Sequence, residues 1–122
     1  MSEVPLERSE RELRAARLLL EQELFDEALP LAYQAAEDAA RVALEANGLE
    51  SAKTHAATIA RFGELLMSKG AETGAGRALN RLARRRQQVV YDWLPATADD
   101  ARDAVVWAEQ IVAAARSLIP AR

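Results

Sequence analysis

The chain has 122 residues, half of them apolar and 29% charged, with no cysteine, one histidine and a formal net charge of -3. That length suits a single domain over residues 1–122 with one core. The missing cysteines exclude a disulfide framework, a thiol nucleophile and thiolate-held zinc. One histidine makes no metal-binding pair, so no cofactor is expected. The acidic balance excludes nucleic-acid binding over the whole surface but leaves room for a local basic patch. No run of about 18 apolar residues is present for a membrane span. The opening "MSEVPLERSERELR" is charged throughout, unlike a basic segment followed by an apolar one, which points to the cytoplasm.

Alanine makes up about a fifth of the chain, and glycine and proline sit almost entirely at boundaries, so every element reads as helix and no strand is expected. The first helix spans 5–23, with Ser2 as cap and Leu13, Ala16, Leu20 and Leu24 at helical spacing. Asp26 is placed as the cap of a second helix, with Pro30 in its first turn and Asn47-Gly48 as its stop. That helix carries two stripes: Leu31, Ala35, Asp38 and Val42, and beside it Ala32, Ala36, Ala39 and Ala43, whose small side chains let another helix approach closely. Asp38 is the odd member of the first stripe.

A third helix starts at Ser51 or Thr54, carries Ile59, Phe62 and Leu66, and stops at Lys69-Gly70. "GAETGAG" reads as a loop. The fourth helix places Leu79, Leu82, Arg86, Val89 or Val90, and Trp93 on one stripe until Pro95 ends it. Thr97 and Asp100 form a capping-box signal for a fifth helix that runs to Leu118. Its apolar face is twice the width a surface helix needs, with Ala104, Trp107, Ile111 and Leu118 beside Val105, Ala108, Val112 and Ile119. Such a helix lies either in the middle of the bundle or against a second copy. The fold expected is all-α, an antiparallel up-and-down bundle of four to five helices.

Four stretches, "AYQAAEDAARVALEANGL", "KTHAATIARFGELLMSKG", "LNRLARRRQQVVYD" and "ADDARDAVVWAEQIVAAARSLI", resemble the successive helices of HEPN domains, small stand-alone bacterial and archaeal ones in particular, over residues 25–119. The resemblance implies an up-and-down helical bundle paired as a symmetric homodimer. It also implies a metal-independent ribonuclease of the toxin or defence type, often encoded beside a nucleotidyltransferase antitoxin. Other members bind nucleotides or act as noncatalytic scaffolds. The family signature is an arginine, four to six residues and a histidine, often with a tyrosine two residues later. In "RRRQQVVYDW" Arg86 takes the arginine position, Gln87 stands where many members have asparagine, Tyr91 occupies the histidine position and Trp93 the later tyrosine position. Glu37-Asp38 stands where the family commonly has phenylalanine-histidine. The family's AMP-accepting tyrosine corresponds by register to Trp93, which leaves Tyr91 as the local acceptor.

Metal-free RNA cleavage needs a base for the 2'-OH, an acid for the leaving oxygen and a cation for the developing charge. Arg86 can supply the cation, and its planar fork suits phosphate oxygens. Tyr91, with a reference pKa of about 10, suits an acid or donor better than a base. Arg77, Arg81, Arg84 and Arg85 read as a solvated face near a helix end, with Arg84 and Arg85 alternatively part of an RNA or nucleotide site with Gln87 and a stacking Trp93. Trp93 and Trp107 also read as core or dimer-interface residues, and Tyr33 as a packing residue with its hydroxyl at the bundle edge. Arg86 points inward and needs a partner, for which Asp38 comes first and Glu37 second. His55, at a helix start, reads as a capping or packing residue. Two functions follow: an RNA or nucleotide-phosphate site built on Arg86 and Tyr91 at a dimer cleft, or a noncatalytic module binding a nucleotidyltransferase or other protein through the wide face of the fifth helix.

Overall fold

Four of the five helices end in the same way. After each stop the chain enters the left-handed region, at Glu23 (φ 61), Gly48 (φ 75), Gly70 (φ 67) and Trp93 (φ 57). Glycine adopts this conformation without penalty, as Gly48 and Gly70 do, whereas a side chain there costs about 1–2 kcal/mol. The computed structural model describes residues 6–50 and 53–120. Its helices are α1 (Leu6–Glu21), α2 (Phe25–Ala46), α3 (His55–Ser68), α4 (Gly74–Val90) and α5 (Ala98–Leu118). The architecture is all-α, as the composition requires. The predicted cap Ser2 and the alternative start Ser51 lie outside the described residues.

α2 is the central element and packs on each of the other four helices. Its alanine stripe, Ala32, Ala36, Ala39 and Ala43, is wholly buried, and the closely approaching partners are α1 and α5. Leu13 and Ala16 of α1, Leu29 and Leu44 of α2, Phe62 and Leu66 of α3, Leu79 and Leu82 of α4, and Ile111 of α5 share one hydrophobic core. The double apolar face of α5 is occupied within the protomer, because α5 lies against α1, α2 and α4 at once. Ala104, Val105, Ala108, Ile111, Val112 and Leu118 are all buried. The surplus apolar stripe is therefore explained by a place in the middle of the bundle, and it is not a free docking face.

The local signals for α3 and α5 hold closely. Thr54 caps α3 by accepting from the Ala57 N–H at 3.1 Å. Thr97 and Asp100 form a reciprocal capping box, with bonds of 3.0 and 3.1 Å. Elsewhere tertiary structure overrides the local reading. α1 stops at Glu21, two residues before the expected end, and Leu24 is exposed at the corner and not on the core stripe. Asp26 does not cap α2. Its carboxylate accepts from the Ala96 N–H at 2.7 Å and ties the α4–α5 connection to the start of α2. Since α2 begins at Phe25, Pro30 falls in its second turn. α4 begins at Gly74, inside the expected loop, and ends at Val90, so Trp93 leaves the Arg86 stripe altogether. The helix does not continue to the proline, because the reversal begins at Tyr91, which caps α4.

Candidate functional site

A cleft of ≈ 460 Å³ opens where the middle of α2, the start of α3 and the C-terminal half of α4 meet, lined by Tyr33, His55, Ala56, Ile59, Ala83, Arg84, Arg86, Gln87, Gln88 and Asp92. Helical spacing brings its α2 members together. Tyr33 and Glu37 are four residues apart and therefore neighbours on one face, and the Tyr33 hydroxyl donates to Glu37 Oε2 at 2.7 Å. His55, the first residue of α3, bonds the same oxygen through Nδ1. Its ring meets Tyr33 edge-on, with centroids 5.7 Å apart. Arg41, one turn further along α2, has its Nε 3.8 Å from the other oxygen, Glu37 Oε1.

Glu37 is 3% exposed. A carboxylate removed from water needs donors and cations on both oxygens, and Tyr33, His55 and Arg41 supply them. Burial, followed by the hydrogen bond to Glu37 and its charge, raises the Tyr33 hydroxyl well above the ordinary tyrosine value, against the opposing charges of Arg86 and Arg41. Tyr33 therefore stays protonated and acts as a donor across the physiological range.

Arg86 reaches the same cluster from α4. Its guanidinium carbon lies 5.0 Å from the centre of the Tyr33 ring and 5.5 Å from that of Tyr91. Aromatic faces stabilise a cation by about 0.5–2 kcal/mol without consuming its N–H groups. Among the described residues no carboxylate pairs with Arg86 within 4.0 Å. The expected Arg86–Asp38 ion pair does not form. One residue on from Glu37, Asp38 accepts from Gln34 Nε2 of its own helix at 2.9 Å and is turned toward α1, where it lies 3.9 Å from Arg8 Nε. The second candidate, Glu37, does belong to the cluster, but through Tyr33 and His55.

The remaining sequence-predicted residues divide. Arg84 and Gln87 line the cleft. Arg85 turns away, half-buried, to pair with Asp100 of α5 and with Gln88, so it belongs neither to the cleft nor to the solvated face. Burial opposes ionisation of Asp100, yet the bonds from Thr97 and the charge of Arg85 hold its carboxyl below the usual value. Tyr91 caps α4 and is 56% exposed beside Arg86. Trp93 is 86% exposed and stands outside the cleft, beside a shallow depression of ≈ 270 Å³ shared with Val90, Leu94 and Pro95. Trp107 is partly buried against the core. Among the described residues, no group of three His, Asp or Glu side chains gathers as a metal site would require.

Residues 2–118 match the HEPN domain family. The chain belongs to the HEPN family. A curated relative, the UPF0332 protein glr0978 of Gloeobacter violaceus, is 40% identical over 65 residues, which are 53% of this chain and 51% of the relative. The chain thus spans about half the length of the curated relative it matches. No described helix of this HEPN domain is long and apolar enough to cross a membrane.

Two members of the cleft, Tyr33 and His55, escaped the sequence reading as site residues. The expected edge position of the Tyr33 hydroxyl is not found, because Tyr33 is buried and bonded to Glu37; His55 is not the cap either, since Thr54 caps α3 and the His55 side chain is half exposed. The pairing of His55 with Glu37 joins residues 18 apart across two helices. The one available signal was that Glu37 lies four residues after Tyr33 on an otherwise alanine-rich face.

Proposed function

We propose that this HEPN protein binds RNA or a nucleotide phosphate in the α2–α3–α4 cleft and acts as a metal-independent endoribonuclease of a toxin–antitoxin or defence module. The observation that carries the reading is an arginine without a carboxylate partner among the described residues, held between two tyrosine rings at the wall of a concave site. A half-buried guanidinium with its N–H fork uncommitted suits a phosphate, whose oxygens it can grip bidentately. Arg84 and Gln87 add a second cation and an amide on the same wall. Tyr91, exposed next to Arg86, is the hydroxyl positioned to donate to a leaving oxygen.

In this reading the homodimer that the family resemblance implies closes next to the cleft. Val90, Tyr91, Trp93 and Leu94 leave a run of exposed apolar surface immediately beyond the cleft, and pairing through it would set two Arg86 sites side by side. Large aromatics anchor such interfaces. Nucleotidyltransferase binding through the α5 face finds no support, since that face is filled by α1, α2 and α4. An antitoxin of that class would have to engage the cleft or its rim.

The test is cleavage of a single-stranded oligoribonucleotide in EDTA by wild type, Arg86→Ala and Tyr91→Phe. Cleavage by wild type that is lost in Arg86→Ala and slowed in Tyr91→Phe supports the reading. Equal cleavage by wild type and Arg86→Ala marks contamination and rejects it.

A further inference from the structure

We infer that His55 is the general base of this cleft, oriented by Glu37, an inference that rests on the RNA-cleaving reading above. Cleavage at a ribose 2'-OH needs a group that can take up a proton near neutral pH. Arg86 stays protonated. The Tyr33 hydroxyl is occupied as a donor to Glu37, and Tyr91 offers a phenol, ordinarily a proton donor at that pH. Asp92 is exposed at the rim, with no side chain holding it among the described residues. An imidazole is the side chain whose ordinary titration falls in the required range, and His55 is the chain's one histidine.

Its geometry is that of an oriented base. Nδ1 faces Glu37 Oε2, and a carboxylate can only accept, so Nδ1 carries a hydrogen and, in the neutral ring, the lone pair falls on Nε2. With one ring edge fixed on α2 and the side chain 52% exposed, the other edge is left for a substrate in the cleft. The Tyr33 ring touches both partners of the reaction: it meets His55 edge-on at 5.7 Å and Arg86 at 5.0 Å. The base and the phosphate-binding cation are therefore spaced by one shared side chain. Glu37 does more than hold the ring. A proton arriving at Nε2 makes an imidazolium against a carboxylate that is almost fully buried, so the charge formed in the step is matched where it forms.

The step balances as a transesterification. Nε2 of His55 takes the proton from the 2'-OH, the 2' oxygen forms a bond to phosphorus, and the bond from phosphorus to the 5' oxygen breaks. The leaving oxygen takes a proton from the Tyr91 hydroxyl. The products are a 2',3'-cyclic phosphate and a 5'-OH, and exchange with water returns a proton to Tyr91 and removes one from His55. Among the described residues the titratable and charged groups around the imidazole are Glu37 and Tyr33 in contact with it, Arg41 on the far oxygen of Glu37, and Arg84, Arg86 and Asp92 lining the same cleft from α4 and the turn after it.

The experiment measures binding and cleavage of a single-stranded oligoribonucleotide in EDTA between pH 5 and 8. It compares wild type, His55→Gln, His55→Ala with and without added imidazole, Glu37→Gln and Arg86→Ala, each checked for helical content. The expected result is that His55→Gln binds RNA as wild type does but cleaves about 100-fold or more slowly, and loses the rise of rate with pH on the acid side. Added imidazole partly restores His55→Ala, which a purely structural role would not allow. Glu37→Gln retains the pH-dependent rise but moves it, as a positioning residue should. Cleavage by His55→Gln at the wild-type rate overturns the inference and leaves the Arg86 reading intact. Unchanged cleavage by Arg86→Ala, or a wild type that neither binds nor cleaves RNA, overturns that reading and this inference with it.

Discussion

The guanidinium of Arg86 stands 5.0 Å over the ring of Tyr33. This single relationship joins the last turns of α4 to the middle of α2 and explains how a cation is kept in the bundle wall without a carboxylate. It also means that Arg86 can be removed without stranding a buried anion.

Arg86→Ala should cost protomer stability about 1 kcal/mol, the scale of the lost aromatic contacts, while RNA binding weakens far more. The logarithm of affinity against that of salt concentration should become shallower by about 0.7, the value for one phosphate contact on a single strand. Arg86→Lys, which keeps the charge and loses the planar fork, should keep the slope and lose part of the affinity. Fluorescence anisotropy at several salt concentrations measures both quantities. An unchanged slope in Arg86→Ala would show that no phosphate is held there.

Tyr33 and Glu37 should be energetically coupled. Glu37→Leu leaves the Tyr33 hydroxyl without its acceptor, at a cost of about 1–3 kcal/mol, and Tyr33→Phe alone removes one bond to a charged acceptor. The double variant should lose less than the sum, by about 1 kcal/mol, as expected for residues in direct contact. Urea denaturation of the four proteins provides the cycle. Strict additivity would contradict the hydrogen bond.

Where α1 packs on α2, stability should depend on pH through Glu12 of α1. Burial, then the hydrogen bond and charge of Asp38, raise the Glu12 carboxyl to about 7, against the pull of Arg8 and Arg11. Glu12 Oε1 and Asp38 Oδ2 are both buried without a conventional donor, which a proton shared by the two carboxyls would supply. Because the folded value lies above the unfolded one, this stabilisation is complete below about pH 4.5 and is lost as pH rises through 7. The loss should be on the order of 2 kcal/mol after allowance for solvent. Glu12→Gln should flatten that part of the profile and be the more stable protein at pH 8, as judged by urea midpoints at pH 5 and 8. The same slope in both proteins would show that Glu12 does not hold the proton.

Trp93 separates assembly from folding. It occupies a left-handed conformation with 86% of its surface exposed, so Trp93→Gly relieves backbone strain and removes little packing within the protomer. The thermal midpoint of the protomer should not fall, while a homodimer seated on this surface should dissociate. Light scattering coupled to size exclusion distinguishes the two states. A dimer that persists in Trp93→Gly would move the seam elsewhere.

Much of the fold could be read locally because the signals are local. The capping box at Thr97 and Asp100, the Thr54 cap and the glycine stops each depend on residues within one turn. Asp26 shows where this ends: it looks like a cap, but its carboxylate is held by the backbone of residue 96, far along the chain. The site divides in the same way. Arg86 was marked by its place on an apolar stripe and by the resemblance, and that placement agrees with its half-buried position in the cleft wall. Its partner was misjudged, because the sequence suggests that a buried cation needs an anion and does not reveal that two aromatic rings lie within reach. His55 was illegible as a base because its meaning depends on Glu37, and a helix-start histidine has no local feature that separates a cap from an oriented imidazole.

The most direct test of the central claim is an amide and histidine side-chain NMR titration of the protein with a short non-cleavable 2'-deoxy-substituted oligonucleotide. The account predicts that the shift changes concentrate on residues 33, 55–56, 83–84, 86–88 and 91–92, with the Nε2 signal of His55 among the largest, and that Arg86→Ala requires a much higher oligonucleotide concentration to produce them. Saturable binding whose shift changes fall on another face, with residues 33, 55 and 86 unmoved, would contradict it.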